Sequence, residues 1–257
     1  ATAWLLRLLG ESRPLHSLTL RFAGIGESAL EQLLIDLIRG QTDPTIAPYA
    51  KEGEVAIRLS TKAASEAEAA AKLEKTVREI ERLAGRYLYA KEDVPLEKTV
   101  VELLRASGRT AATAESCTGG LLAELITSVP GSSEAFAGGV VVYTNAMKRD
   151  LLGVPAGLLE GPDAPGAISR ETAAAMAERT LERIGADYAL AITGVAGPSP
   201  SEGKPPGLVY VALSERGGRT DVHELKLAGG RAGVRLRAAK HALYRLWERL
   251  NGIVTNS

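Results

Sequence analysis

Ala114-Glu115-Ser116-Cys117-Thr118-Gly119-Gly120 is the stretch on which the fold turns, because it sets a hydroxyl and a thiol at a glycine-rich bend between two apolar segments of different period. Before it, Arg109 to Ala114 is short and carries β-branched Thr110 and Thr113; after it, Leu121, Leu122, Leu125 and Ile126 recur at helical spacing. A strand feeding a helix through such a bend is the repeating unit of an α/β sheet, and these sheets bind ligands beyond the carboxyl ends of their strands. Ser116 is therefore predicted just before a helix N-terminus, where orphan N–H groups and the positive end of the helix dipole favour developing negative charge. Gly119 and Gly120 leave space for a ligand to approach the backbone. Ser and Thr are also the commonest helix caps and Gly a common turn residue, so the window alone fits a cap as well as a nucleophile.

Outward from this bend, Pro95 suits a helix start, with Leu96, Val100, Leu103 and Leu104 facing inward. Apolar strands are predicted at 139–143, 188–193 and 208–213, their near-continuous hydrophobicity implying burial on both faces. Val222 to Leu227 is more mixed and reads as an edge strand. A helix from about Ser169 carries Ala173, Met176, Ala177, Leu181 and Ile184 on one face, and a final helix carries Leu236, Ala239, Leu243, Trp247 and Leu250. The expected architecture is α/β, a central and mostly parallel sheet with helices on both faces. Between Gly197 and Gly207, Pro-Ser-Pro-Ser-Glu-Gly-Lys-Pro-Pro reads as a mobile surface loop.

Toward the N-terminus the pattern is strand, helix, strand, helix, strand: Leu18 to Phe22, then Leu30, Leu33, Leu34, Leu37 and Ile38 at helical spacing, then Glu54 to Leu59 in alternation. The second helix begins after Ser65, an N-cap with Glu66 and Glu68 in the first turn, runs through Leu73, Val77, Ile80 and Ala84, and stops at Gly85. Tyr87 to Tyr89 closes this small α+β module, and the charged run from Ala90 to Pro95 marks a boundary. The chain thus divides into 1–17, 18–92 and 95–252. The first piece, with Leu5, Leu6, Leu8 and Leu9, is expected to be the remnant of a preceding domain or a linker.

Thirty-one basic residues balance thirty-one acidic ones, and no block of like charge forms a binding tail, so no global field favours nucleic acid. Any anion site must be local. One cysteine excludes an intrachain disulfide, and one cysteine with three histidines offers no metal-ligand spacing. No apolar run approaches the ~18 residues of a membrane span and there is no signal-peptide pattern, so a cytoplasmic protein is expected, without membrane partner, metal or cofactor.

Three further segments of the second domain carry chemistry. In Tyr143-Thr144-Asn145-Ala146-Met147-Lys148, Asn145 is predicted to cap a short helix ending near Gly153, with Tyr143 at the strand end and Lys148 on the first turn. A cation near a helix N-terminus, partly buried, loses proton affinity, as a lysine base requires; a solvated surface lysine is the plainer reading. In Ala191-Ile192-Thr193-Gly194-Val195-Ala196-Gly197-Pro198 a buried strand breaks into glycines, which fits backbone facing a ligand or a plain turn. Gly229-Gly230-Arg231-Ala232-Gly233-Val234-Arg235-Leu236-Arg237 opens a helix with three arginines and no acid, which an anion such as phosphate would explain; a salt bridge to an acidic neighbour is the alternative. His16, His223 and His241 lie outside all four segments, leaving a serine with a lysine base ahead of a Ser-His-Asp triad, and Cys117 as a second candidate nucleophile.

Ala-Glu-Ser-Cys-Thr-Gly-Gly, Tyr-Thr-Asn-Ala-Met-Lys, Gly-Ala-Ile-Ser at 166–169, Thr-Gly-Val-Ala-Gly-Pro and Gly-Arg with Arg235 four residues on resemble, in that order from Leu96 to Gly252, the C-terminal domain of the CinA family. The resemblance implies a nicotinamide mononucleotide deamidase that works without a metal, and a dimer. Residue by residue it implies Ser116 as nucleophile, Lys148 as base and Tyr143 assisting. It further implies Thr193, Gly194 and Gly197 lining the pocket, and Arg231 or Arg235 on the ribose phosphate. The oxyanion is expected on N–H groups near Thr118, Gly119 and Gly120. Residues 18–90 resemble the family's KH-like domain but lack a clear Gly-x-x-Gly loop, which weakens a nucleic-acid role. Longer relatives carry a preceding molybdopterin-binding-like domain credited with ADP-ribose pyrophosphatase activity, expected to be absent here. The alternative reading is a non-catalytic nucleotide-binding or regulatory protein linked to competence and recombination.

Overall fold

The computed structural model describes residues 13–51 and 53–253, in two compact units that divide between Val94 and Pro95. The leucines at 5, 6, 8 and 9 lie outside the described residues.

The first unit runs β1 (Leu15–Phe22), α1 (Glu27–Leu33), α2 (Ile35–Arg39), β2 (Thr45–Lys51), β3 (Glu54–Lys62), α3 (Glu66–Ala84) and β4 (Leu88–Ala90). Its sheet is antiparallel in the order β2-β3-β1-β4. Ser65 caps α3 as its sequence predicts, its hydroxyl accepting the Glu68 N–H at 3.2 Å, and the apolar stripe Leu73, Val77 and Ile80 packs on Leu20, Phe22 and Ile57. Two expectations are corrected. The apolar run from Leu30 to Ile38 is two short helices joined at Leu34, not one. The strand β2 was not predicted, because Pro48 interrupts its pattern; an edge position tolerates a proline, which needs no N–H there.

The second unit contains α4 (Leu96–Ser107), β5 (Ala111–Glu115), α5 (Leu121–Thr127), β6 (Phe136–Val141), α6 (Asn145–Met147), α7 (Ala156–Leu159), α8 (Arg170–Ile184), β7 (Tyr188–Gly194), β8 (Leu208–Glu215), β9 (Thr220–Lys226) and α9 (Arg231–Leu250). The sheet order is β6-β5-β7-β8-β9. β5 pairs in parallel with β6 and β7, while β7, β8 and β9 pair antiparallel. The sheet is thus mixed, parallel only in its first half, because β7 returns to β8 through the 197–207 loop without a crossover helix. β6 also departs from the expected doubly buried strand: it is an edge, ends at Val141, and its residues alternate half-buried and exposed.

Helices cover both faces. On one, Ala173, Met176 and Ala177 of α8 pack on Ala114, Ala191 and Ala212, with Val222 beside them. The next residue along β9, His223, points the other way and meets His241 of α9 edge-on, the ring centroids 6.0 Å apart. The small alanines of β5 and β7 admit the helices closely, and both strands are buried throughout apart from the last residue, Gly194. The carboxyl ends of β5 and β7 therefore open side by side.

Candidate active site

Glu115, the last residue of β5, is completely buried. Its carboxylate accepts the N–H groups of Gly120 at 3.0 Å, Leu122 at 3.0 Å and Ala123 at 2.8 Å. A charge in an apolar sheet is tolerable only with such partners, and the orphan amides of a helix start supply them. Glu115, not Ser116, caps α5. This corrects the expected oxyanion site: the Gly120 N–H is taken by Glu115 and the Gly119 N–H donates to the Ser116 carbonyl at 3.0 Å. Ser116 itself is held one step above the strand, its N–H on the Ile192 carbonyl at 2.9 Å.

Lys148 arrives from the neighbouring segment. Thr144 caps α6, its hydroxyl accepting the Met147 N–H at 3.2 Å, where Asn145 had been expected to do so. The chain then widens into a π-helical turn over Lys148–Leu152, closed by Gly153 at φ +81°. This turn carries Lys148 inward. Its side chain is 1% exposed, and Nζ donates to Ser116 Oγ at 3.1 Å and to the Val142 carbonyl at 3.1 Å. Among the described residues it makes no ion pair, and burial lowers the pKa of its ammonium below the ordinary 10.5, with Glu202 opposing. The solvated surface lysine is excluded.

Cys117 is nearly buried, and desolvation pushes its thiol up to about 11, which keeps it protonated at neutral pH. Tyr143 is 54% exposed and its hydroxyl accepts from Arg231 at 3.0 Å, while the same guanidinium donates to the Gly197 carbonyl at 2.9 Å. Thr193 donates to the Ala167 carbonyl at 2.7 Å, which fastens the end of β7 to the Gly-Ala-Ile-Ser segment, and Ser169 in turn caps α8.

These elements enclose a cavity of about 290 Å³ whose wall includes Ser116, Lys148, Tyr143, Thr193, Arg231 and Glu202. Gly194 and Gly197 border it too, although a Cβ at Gly194 would lie 2.6 Å from the Leu208 carbonyl, so its bareness also serves the β7–β8 contact. Thr118, Gly119, Gly120 and Arg235 stand outside the lining. Arg235 donates instead to the Thr118 carbonyl at 2.6 Å, and among the described residues Arg231 and Arg235 make no salt bridge to an acid, the alternative considered above.

Two carboxylates escaped the sequence reading. Glu115 was passed over beside the more reactive Ser116 and Cys117. Glu202 lay in a segment read as a mobile loop; in fact Lys204 fastens that loop by donating to the carbonyls of Pro165, at 2.9 Å, and Ile168. Glu-Gly-Lys amid prolines and serines was the signal available. Among the described residues no cluster of His, Cys, Asp and Glu could hold a metal ion, and no helix is long and apolar enough to cross a membrane.

Residues 17–90 match the family described as the damage-inducible protein CinA KH domain, and residues 93–250 match the CinA C-terminal domain. A relative from Geobacillus kaustophilus is 45% identical over 248 residues, covering 96% of this chain and 59% of the relative. One from Symbiobacterium thermophilum is 51% identical over 242 residues, covering 90% and 56%. Both are named for competence-damage induction, and the chain spans less than two thirds of the length of either. Among solved structures, the competence/damage inducible protein CihA of Agrobacterium tumefaciens is 42% identical at a TM-score of 0.57, covering 61% of this chain and 93% of that one. The competence damage-inducible protein A of Klebsiella pneumoniae is 35% identical at a TM-score of 0.58, covering 61% and 95%. With the C-terminal family matched over more than half of its length, the chain belongs to the CinA family.

Proposed function

We propose that this chain hydrolyses the carboxamide of nicotinamide mononucleotide to the carboxylate and ammonia, with Ser116 as nucleophile and Lys148 as base. The observation that carries the reading is the buried Lys148 Nζ, 3.1 Å from Ser116 Oγ and without an ion pair among the described residues. In its neutral form this amine takes the hydroxyl proton as Oγ adds to the carboxamide carbon. The tetrahedral intermediate then expels ammonia, which leaves with the proton returned by Lys148. Water, deprotonated by the same amine, hydrolyses the resulting ester. The oxyanion falls to the Cys117–Thr118 side of the bend, since the next two amides are engaged. Arg231, at the exposed side of the cavity and bonded to the Tyr143 hydroxyl, is the guanidinium for the phosphate.

The test is ammonia release from nicotinamide mononucleotide by the purified chain. Ser116→Ala and Lys148→Ala are expected to lower kcat by at least about a thousandfold and Cys117→Ala by less than about tenfold. Wild-type rates in Ser116→Ala would overturn the assignment. The second reading is a nucleotide-binding protein without turnover, linked to competence, the one part of it that the names of the relatives carry. It predicts mononucleotide binding with no ammonia, or a DNA gel shift at stated salt.

A further inference from the structure

Glu202 is the one carboxylate in the wall of a cavity whose other charged side chains, Lys148 and Arg231, are basic. Its placement is built. It is the one residue other than glycine, among those described, with a left-handed backbone, at φ +52°. Such a conformation is held only where the surroundings impose it. Here they do: Ser201 and Lys204 pair in a tight bridge, and Lys204 is anchored to the carbonyls of Pro165 and Ile168. The carboxylate accepts the Ile168 N–H at 3.2 Å and lies 3.8 Å from Lys204. It also occupies the space left by Gly166, where a Cβ would come within 2.5 Å of Glu202 Oε2. A strained residue, a second-segment amide and a glycine together hold one acid in the wall of the cavity, hydrogen-bonded to neither the serine nor the lysine.

We infer that Glu202 is a specificity-determining residue that reads the positive charge of the substrate's ring, resting on the deamidase reading above. A nicotinamide joined to ribose through its ring nitrogen is a pyridinium cation, whereas its phosphate is an anion. Arg231 supplies the guanidinium for the anion and Glu202 the carboxylate for the cation. The site thereby selects the N-ribosylated, oxidised ring over neutral rings with the same carboxamide. The one ion-pair partner of Glu202 among the described residues is Lys204, 3.8 Å away and already donating to the carbonyls of Pro165 and Ile168.

The experiment measures Kd by calorimetry on the full chain carrying Ser116→Ala, for nicotinamide mononucleotide and for its ring-reduced form, which keeps carboxamide, ribose and phosphate but has a neutral ring. The oxidised form is expected to bind about tenfold more tightly. Adding Glu202→Gln is expected to remove that preference by weakening the oxidised form alone, and Glu202→Asp to keep part of it. Equal binding of both forms before Glu202 is changed, or a preference that survives Glu202→Gln, overturns the inference. A Glu202→Gln effect confined to the pH profile of ammonia release, through Lys148, does so as well. Absence of ammonia release by the unmodified chain would instead sink the deamidase reading.

Discussion

Lys148 shows at the scale of one residue how stability and chemistry oppose each other. A buried ammonium facing a hydroxyl and a carbonyl has weak compensation for lost hydration, so folding lowers its affinity for the proton. Because its pKa is lowered on folding, the unfolded chain binds the proton more tightly, and stability is lost as pH falls from the unfolded value of about 10.5. Lys148→Met should therefore raise stability at pH 7 by about 1–2 kcal/mol in urea titrations while abolishing ammonia release. For the same reason the wild-type kcat/KM should rise with pH along a limb that lies below 10.5. Arg231 makes a second residue-scale case. If it holds phosphate, Arg231→Ala should raise KM for the mononucleotide by at least about tenfold and leave that for the bare riboside nearly unchanged. Equal effects on both substrates would remove the phosphate role.

Single caps decide where whole elements begin, and two caps here aim the site. Glu115 ties the end of β5 to the start of α5 through three amides, which fixes the bend that presents Ser116. Glu115→Ala would leave those donors without their anion in a dry sheet, at a cost of about 3 kcal/mol in chemical denaturation, with activity falling more steeply than the folded fraction. Thr144→Ala removes one neutral cap, about 1 kcal/mol, and loosens the turn that carries Lys148. Elements also show what was legible beforehand. The helix capped by Ser65 was readable to the residue and the start of the one after Ser169 approximately, because cap and apolar stripe sit within a few positions of each other in the chain. The strand Thr45–Lys51 and the anchored 197–207 loop were not. The strand pairs with its immediate neighbour, Glu54 to Ser60, but Pro48 breaks its alternation, whereas the loop is fixed by Pro165 and Ile168, more than thirty residues back in the chain.

At the scale of the molecule, every named wall residue of the cavity belongs to the unit after Val94. Residues 95–253 alone should accordingly release ammonia at a rate within about twofold of the whole chain, since a unit with its own core folds alone. That unit also carries an acid sensitivity far from the bend. Burial lowers His223 to about 4 and His241 to about 3, with Arg245 adding to both and the two rings in contact. The unfolded chain protonates them near 6.5 and the folded one does not. Stability present above 6.5 should thus fall as pH drops toward 4. His241→Phe, which keeps an aromatic ring beside Tyr244, should flatten that fall in thermal melts between pH 6.5 and 4; an unchanged slope would assign the acid lability elsewhere.

The sequence by itself determined the class of fold and the two units, and it marked Ser116 and Lys148 as the candidates for the proposed reacting pair. Each follows from local information: apolar period, cap chemistry, and the presence of a hydroxyl and an amine where strands end. Only the tertiary structure decided which neighbours share the cavity. The amides of Gly119 and Gly120 went to Ser116 and Glu115, Arg235 went to the Thr118 carbonyl, and Glu202 entered from a loop that composition had made look idle. A buried polar group must find a partner, and which partner it finds depends on the packing of segments distant in the chain, which no local pattern encodes.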